Sequence, residues 1–430
     1  MGDSNTAIRV AIIGGGLTGV TLLRGLMRYR HIAADLYESR PSFKEETPGI
    51  ELSALTQDIL QLIDPSILSC LDRSGAIYTT ADCYIATGPL AGQRVDFTGQ
   101  SNIDRTVSRQ ALLTELLEGI PPRMVHLNTR LDSIMEGSPG KGLTLIFSDR
   151  TQKRYDVVIG ADGIQGKTRA HVVGPKDPAQ VPKPSGFWNL PIKVSVNRAR
   201  QMIGAENFDS TNPRQVTWIG HGTTMQHNLI NASKDVQISI TGTFDGTNEE
   251  FAWAKLFSPE EFQQIFSQNM LPPCQGMVKL AQSVYTIQIA GICQIQHVPT
   301  RTYTSKNVVL MGDAAHGMLS SHEALSGLAF EEVLILVTLL GRTTSRSSIS
   351  SALRAYDEVC RPRAETVISA AHDISLLMTG RAPGIGLNPV PLAEALRQKW
   401  GSIENLNLNA HCMAALGAMN RNSPPMEQWQ

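Results

Sequence analysis

Three glycines near the start of the 430-residue chain have the spacing of a phosphate-binding turn. Gly14, Gly16 and Gly19 lie between an apolar run at residues 8–13 and an amphipathic helical pattern. Glycine permits a tight turn and a close backbone approach, and the unpaired N–H groups of a helix N-terminus attract a pyrophosphate. Glu38 ends the next extended run, where a carboxylate can accept hydrogen bonds from both ribose hydroxyls. The pattern predicts a dinucleotide site without a 2′-phosphate on that ribose, because the two anions would repel.

Three later segments place a charged side chain beside the predicted end of an element. Arg109 starts the helical pattern RQALLTELLEGI, for which Ser108 is a suitable N-cap. Asp162 follows the apolar run of YDVVIGADG, and Asp313 follows that of VVLMGDAAH. An arginine can pair with a pyrophosphate, and a carboxylate can accept hydrogen bonds from a chain of hydroxyls. The competing interpretations are structural: a solvated arginine at a helix start, a plain Asp-Gly turn and a helix cap.

Together these segments resemble the class A flavin-dependent aromatic hydroxylases, especially the salicylate-hydroxylase-like branch. Residues 107–112 are similar to the family's segment with a flavin-contacting arginine, and residues 155–163 to its Asp-Gly loop. Residues 308–316 are similar to its Gly-Asp segment, whose aspartate binds the ribityl chain, and residues 356–363 to the helix that follows. The resemblance implies bound FAD, NAD(P)H as a transient reductant, and a set of cofactor-binding residues: Gly14, Gly16, Gly19, Glu38, Arg109, Asp162, Asp313 and Ser326.

The sequence departs from this family around the flavin ring and the substrate. Ser320 stands where the family has a proline, and the stretch that begins at His322-Glu323 replaces a glycine-rich loop. Leu55 takes the place of an asparagine, and Asn189 lies near the position of an arginine in the substrate sheet. The adenosine and pyrophosphate segments therefore match the family, whereas the segments that contact the ring and the substrate are altered.

Two enzymatic hypotheses follow from this contrast. In the first, the protein is a monooxygenase of secondary metabolism that uses NAD(P)H, FAD and O2 to hydroxylate or oxidise a small aromatic or polyketide-like substrate. In the second, the flavin fold has lost or demoted its O2 chemistry and catalyses an isomerisation or cyclisation. His322 and Glu323 would then act as general acid and base, since imidazole titrates near neutrality. The competing interpretation makes His322 a polar loop residue and Glu323 a helix cap.

A third hypothesis is a regulatory flavin-binding protein without catalysis. His316, in the Gly-Asp segment, is expected to be packed and hydrogen-bonded rather than catalytic. The histidines show no metal-ligand spacing, so no metal is predicted.

Composition restricts the partners and the compartment. Lys and Arg number 38 against 39 Asp and Glu, and this balance argues against nucleic-acid or membrane-surface binding. The 42% of apolar residues suits a sizeable core, yet no stretch offers the roughly 20 apolar residues of a transmembrane helix. The six cysteines are scattered without a C-x-x-C pair, which predicts a reducing, cytoplasmic setting. The expected partner is a small-molecule substrate, and the oligomeric state is left open.

The order of elements predicts an α/β fold: a discontinuous Rossmann-like FAD-binding domain, an inserted antiparallel β-sheet substrate domain and C-terminal helices. Residues 76–97 predict two short strands around Gly88-Pro89, and residues 248–257 and 259–269 predict two helices. The predicted domains are, in chain order, the first part of the FAD-binding domain at 1–175 (its strands at 76–105 joining the substrate sheet), the substrate domain at 176–290, the second part of the FAD-binding domain at 291–382, and a helical tail at 383–430.

Overall fold

A parallel sheet and a larger, mostly antiparallel sheet are built from one chain, which confirms the predicted α/β class with its discontinuous Rossmann-like domain and inserted sheet. The structure is a computed structural model. It describes residues 7–44, 49–97, 104–137, 142–230, 234–244, 253–266, 270–285, 288–317 and 324–423.

The strands within these residues are short in the parallel sheet and longer in the antiparallel one. In chain order they are β1 (Ile8–Ile13), β2 (Ile32–Tyr37), β3 (Gly49–Leu52), β4 (Ile77–Ile85), β5 (Asp104–Ser108), β6 (Val125–His126), β7 (Leu131–Glu136), β8 (Leu143–Phe147), β9 (Gln152–Tyr155), β10 (Val157–Gly160), β11 (Lys183–Ser195), β12 (Arg214–Ile219), β13 (Thr223–Ile230), β14 (Asp235–Thr243), β15 (Ala254–Phe257), β16 (Ile289–Gln296), β17 (Thr304–Ser305) and β18 (Val308–Leu310).

The helices connect the strands of the parallel sheet and make up the C-terminal part of the chain. In chain order they are α1 (Leu17–Leu26), α2 (Ala54–Ile63), α3 (Ser66–Arg73), α4 (Arg109–Leu117), α5 (Lys167–Val173), α6 (Val196–Ile203), α7 (Pro259–Ile265), α8 (Pro272–Val284), α9 (Asp313–His316), α10 (Ala324–Arg342), α11 (Ile349–Met378), α12 (Pro389–Glu404) and α13 (Leu408–Arg421). None of these helices is long and apolar enough to cross a membrane.

The six-stranded sheet brings distant parts of the chain together. Its order is β17-β18-β10-β1-β2-β6, and all neighbours are parallel except β17 and β18. The central strand β1 has its partners β10 about 150 residues later and β2 in the first βαβ unit. Continuous apolar runs such as Val157–Gly160 are buried throughout, as parallel strands covered on both faces require. Parallel pairing therefore places the carboxyl ends of β1, β10 and β18 side by side.

The nine-stranded sheet has the order β15-β16-β11-β14-β13-β12-β4-β5-β3. Strands β3, β4 and β5, which come from the N-terminal region, extend it. One face packs on α6 and α8 in a second hydrophobic core, which is separate from the core around the parallel sheet. The other face is turned toward the parallel-sheet domain, and it carries polar side chains from β12 and β13.

Two local predictions are wrong. Residues 77–85 form the first predicted strand, but the second is reduced to a β-bridge between Tyr84 and Arg94 after the turn at Gly88, whose φ of +79° suits glycine. Residues 254–257, predicted as the end of a helix, form the edge strand β15, because they pair with β16 and bury Phe257 in the second core. Backbone pairing and burial override the weak helical pattern there.

Trp188 on β11 is the largest buried side chain of the second core, and two glycines make room for its indole. A Cβ at Gly242 would lie 2.3 Å from the ring of Trp188, and one at Gly291 would lie 2.8 Å from it. Phe257 packs on the indole at a ring-centroid distance of 4.9 Å. Gly242 on β14 and Gly291 on β16 flank β11 on its two sides. Because neither has a side chain, the indole of Trp188 lies flat against the sheet.

We expect Gly242→Ala to lower the free energy of unfolding by about 2 kcal/mol, because the new methyl group overpacks the indole site. The midpoint of urea unfolding, followed by tryptophan fluorescence, measures this change. Gly417→Ala in α13 is the matched control, since its Cβ would meet nothing closer than 3.6 Å and alanine favours a helix. Equal midpoints for Gly242→Ala and the control would contradict this account of the core.

Candidate functional site

A cleft of about 830 Å³ opens where the carboxyl ends of β1, β10 and β18 meet. Its far wall is the polar face of the nine-stranded sheet, including Asn189 and Gln237. The structure brings these sequence-predicted residues to the cleft: Gly14, Gly16, Glu38, Arg109, Asp162 and Asp313. Five separate stretches of the chain supply them, so only the tertiary fold makes them neighbours.

Four of the predicted site residues are not placed in this cleft by what the structure describes. His322 and Glu323 lie outside the described residues, and so does the side chain of Ser326, whose backbone belongs to α10. Their proposed roles stay predictions. Gly19 is described, but it lies within α1 behind the cleft rather than on its surface.

The three glycines of the turn have different tasks. Gly14 has a φ of +114°, and a Cβ there would lie 2.1 Å from the carbonyl oxygen of Ala161. A Cβ at Gly19 would lie 2.0 Å from the carbonyl oxygen of Gly14, so this glycine lets α1 pack on the turn. Around Gly16, by contrast, no described atom lies within 4 Å of the position a Cβ would take. Gly16 caps the N-terminus of α1 and leaves open space where a pyrophosphate would meet free N–H groups.

Glu38 follows β2 and is almost completely buried at the edge of the cleft. One carboxylate oxygen accepts a hydrogen bond from the N–H of Gly15 at 2.8 Å, and the other accepts one from the N–H of Arg40 at 2.8 Å. Burial alone would raise the pKa of Glu38, but the two backbone N–H groups and the Arg40 guanidinium outweigh it and lower that pKa. Glu38 is therefore a carboxylate at neutral pH, as an acceptor for ribose hydroxyls must be.

Arg109 and Asp313 bring opposite charges to the cleft. Arg109 is the first residue of α4, and the predicted cap Ser108 accepts a hydrogen bond from the N–H of Ala111 at 3.4 Å. Asp313 begins α9 directly after Gly312, and its exposed carboxylate accepts no hydrogen bond from the residues that the structure describes. A cation for phosphate and an unengaged carboxylate for hydroxyls match the chemistry of FAD, which carries a pyrophosphate and a ribityl chain.

Asp162 is held differently. Its carboxylate accepts hydrogen bonds from the N–H of Thr168 at 3.0 Å and from the Thr168 hydroxyl, so it caps the start of α5. Burial raises the pKa of Asp162. This geometry favours a role in shaping the loop that follows β10, and a direct flavin contact by this carboxylate stays a prediction.

A buried arginine fixes the segment that carries Asp313. The side chain of Arg169 is 1% exposed and donates to the carbonyl oxygens of Ala179 at 2.7 Å and Ala314 at 3.1 Å, and also to that of Ala315. Burial lowers the pKa of Arg169 to about 10, so the guanidinium stays charged at neutral pH. The positive charge of Arg169 thus satisfies carbonyl groups that α9, a single helical turn, leaves without partners.

The same segment is held from its other side by α10. Glu332 accepts a hydrogen bond from the N–H of Gly312 at 2.7 Å and pairs with Nε2 of His316 at 2.9 Å. Burial alone would lower the pKa of His316, but the Glu332 carboxylate outweighs it and raises that pKa. The prediction that His316 is packed and hydrogen-bonded is confirmed. Sequence analysis missed Arg169 and Glu332, although two adjacent glutamates in the apolar pattern LAFEEVLILVTLL signal buried charges.

A second cavity of about 730 Å³ lies on the same face of the nine-stranded sheet, and Gln226 lines both spaces. Strands β4 and β12 and helix α12 enclose it. Asp82 on its wall pairs with Arg94 at 3.2 Å and Arg214 at 2.8 Å. Apart from Leu55, sequence analysis singled out none of its residues. The alternating pattern of β12, with Gln215 and Thr217 on the cavity face, is the signal that was available.

Comparison with known proteins gives relatives that span nearly the whole chain. No family model matches it. The chain is 28% identical to 6-methylsalicylate 1-monooxygenase of Aspergillus terreus, over 85% of this chain and 82% of that protein. It is also 28% identical to a salicylate hydroxylase of Pseudomonas putida, over 97% of each.

Among solved structures, a salicylate hydroxylase substrate complex superposes with a TM-score of 0.78 at 22% identity, over 96% of this chain and 98% of that one. CtdE in complex with FAD and a substrate superposes with a TM-score of 0.78 at 14% identity, over 96% of this chain and 99% of that one. These two likenesses show the fold.

Gly16→Val should fold but fail to bind FAD, because a Cβ at residue 16 meets no described atom within 4 Å and the side chain would enter the space expected for the pyrophosphate. We expect an affinity loss of at least about 100-fold, on the order of 3 kcal/mol. Titration of the cofactor-free protein with FAD, followed by the quenching of flavin fluorescence, measures it. Gly19→Val is the contrasting variant and should not fold, since its side chain would overlap the turn. A Gly16→Val protein that is purified with stoichiometric flavin would place the cofactor elsewhere.

Arg169→Met should lower the free energy of unfolding by about 3 kcal/mol and weaken FAD binding, because several buried carbonyl groups lose their donor. Arg346→Met serves as the control. Arg346 is half exposed and pairs with Asp156 at 2.8 Å, so its removal should change stability by less than about 1 kcal/mol. Thermal unfolding and FAD titration of both variants give the comparison. Equal effects of the two substitutions would show that Arg169 does not anchor the Gly-Asp segment.

Proposed function

We propose, from the premise that this chain is related to the class A FAD-dependent aromatic hydroxylases, that it is an FAD-dependent monooxygenase of secondary metabolism. It hydroxylates or oxidises a small aromatic or polyketide-like substrate with NAD(P)H and O2. The relatives whose names include monooxygenase and salicylate hydroxylase confirm the resemblance that the motifs predicted. The observation that carries the proposal is that one cleft is lined by Gly16, Glu38, Arg109 and Asp313. A second, polar cavity lies beside it.

The residues of the cleft suit the successive parts of FAD. The N–H groups at the start of α1 bind the pyrophosphate, and Arg109 adds positive charge there. Glu38 accepts hydrogen bonds from the adenosine ribose, and Asp313 accepts them from the ribityl hydroxyls. When bound, FAD would supply the redox chemistry that links NAD(P)H oxidation to O2 activation.

The sheet wall of the cleft suits an oriented, uncharged ring. Ser239 donates a hydrogen bond to the amide oxygen of Asn189 at 2.7 Å, and the amide oxygen of Gln237 accepts one from the N–H of Gly49 at 2.5 Å. These contacts fix neutral amides and a hydroxyl where the family has an arginine. A substrate bound in the cleft would direct its polar groups to the amides and hydroxyl of this wall.

The non-redox alternative depends on His322 and Glu323, which lie outside the described residues. No contact of the described residues favours it over oxygen chemistry, and the monooxygenase names of the relatives favour the first hypothesis. A cytoplasmic location, and a small molecule rather than nucleic acid or membrane as partner, are inferences from the charge balance and the scattered cysteines.

The proposed function predicts that the purified protein is yellow and that NADPH or NADH bleaches its visible absorbance without oxygen. Readmitted air should restore the flavin spectrum. Stopped-flow absorbance measures both steps, and Gly16→Val protein is the control that should show neither. If the protein is yellow but neither reductant bleaches it, with or without phenolic substrates, the monooxygenase hypothesis is wrong. That result would favour the non-redox isomerase or cyclase.

A further inference from the structure

The second cavity has an acidic end that the proposed function does not use. Glu51 on β3 and Asp104 on β5 are side-chain neighbours there, and Glu404 at the end of α12 faces them. Burial raises the pKa of Glu51, and the negative charge of Asp104 raises it further. A backbone N–H of Ala54 and the Glu51 side chain both hydrogen-bond Asp104. The hydrogen bond between the two side chains makes Glu51 and Asp104 one acidic pair at this end of the cavity.

Unpartnered polar atoms surround this end of the cavity. Oε1 of Gln215, Oδ1 of Asp104 and Nε1 of Trp400 are buried, and none has a hydrogen-bond partner among the described residues. Gln215 is 9% exposed, and all three residues line the cavity. Buried polar groups in native proteins are usually paired. Unlike the unpartnered indole of Trp218 in the second core, these three atoms belong to residues that line an open cavity, so a ligand bound there would complete them. Such a ligand donates hydrogen bonds from hydroxyl groups and accepts one at an oxygen.

The positive charges of the cavity are already engaged. Arg94 and Arg214 both pair with Asp82, and Arg397 pairs with Glu394 at 3.2 Å. An anionic ligand at the acidic end would meet carboxyl groups with no unengaged cation beside them. A cationic ligand would meet the positive charges of Arg94 and Arg214, which line the same cavity and are about half exposed. The balance of charges thus favours a neutral ligand.

We propose that this second cavity binds the hydroxyl-bearing end of a neutral phenol or enol substrate and discriminates against aromatic carboxylates. The inference rests on the proposed function, because the shared residue Gln226 joins the cavity to the flavin cleft. In this binding mode Gln215, Asp104 and Trp400 determine the substrate specificity. The substrate preference would differ from that of the relatives named for salicylate, because the carboxylate of a benzoate-type anion would face the acidic end.

Catechol and salicylate are the probes, because they differ only in a hydroxyl group against a carboxylate. Isothermal titration calorimetry on the FAD-loaded protein should give a dissociation constant for catechol at least tenfold below that for salicylate. Trp400→Phe and Gln215→Met, which keep side-chain size, should each weaken catechol binding about fivefold. Trp218→Phe is the matched control. Its indole N–H is equally buried and unpartnered but belongs to the core on the opposite face of the sheet, so catechol binding should not change.

Asp104→Asn and Glu51→Gln test the charge argument independently of each other. Either substitution should strengthen salicylate binding and reduce the ratio of the two dissociation constants to below about threefold, a change that mere loss of structure would not produce. FAD content and bleaching by NAD(P)H, measured on the same samples, keep the two proposals apart. If the flavin is bound and bleached but wild-type protein prefers salicylate, or if Trp400→Phe and Trp218→Phe behave alike, the inference is overturned. If no flavin is bound, the proposed function fails instead.

Discussion

Close backbone packing at the carboxyl ends of the parallel strands is the constraint on which the cleft depends. The N–H of Gly14 donates to the carbonyl oxygen of Tyr37 at 2.8 Å, and the N–H of Ala161 donates to that of Ile13 at 2.8 Å. Side chains at Gly14 or Gly19 would push these segments apart. Because the three strand ends are held this tightly, the residues that follow them reach one space, and the N-terminus of α1 points into it.

Buried charged side chains fix the segment around α9, which the hydrogen bonds of regular strands and helices do not hold in place. Arg169 satisfies carbonyl groups around α9, and Glu332 ties Gly312 and His316 to α10. A buried charge is stable only where it is well paired, so these contacts specify one position for the segment that carries Asp313. Contacts within the chain itself thereby fix the backbone that carries Asp313.

The nine-stranded sheet divides its two faces between stability and recognition. Trp188 and its aromatic neighbours fill the core on one face. The other face presents amides and hydroxyls to both cavities, including Asn189, Gln215 and Gln226. Strict alternation along each strand makes this division possible, because neighbouring residues point to opposite faces. The flavin fold can therefore keep its core while the polar face changes to suit another substrate.

Local patterns in the sequence determined the fold class, the turn after β1 and the cap at Ser108, because these features depend on short-range spacing. They also predicted a set of cofactor-binding residues, six of which the fold brings to one cleft. They failed where pairing decided the structure, as at residues 254–257, and they did not separate a loop-shaping Asp162 from a ligand. Only the tertiary structure decided that β3, β5, β12 and α12 meet around the acidic pair Glu51 and Asp104. Those elements are distant in the chain, and their polar residues become neighbours only when strand pairing and helix packing bring them together.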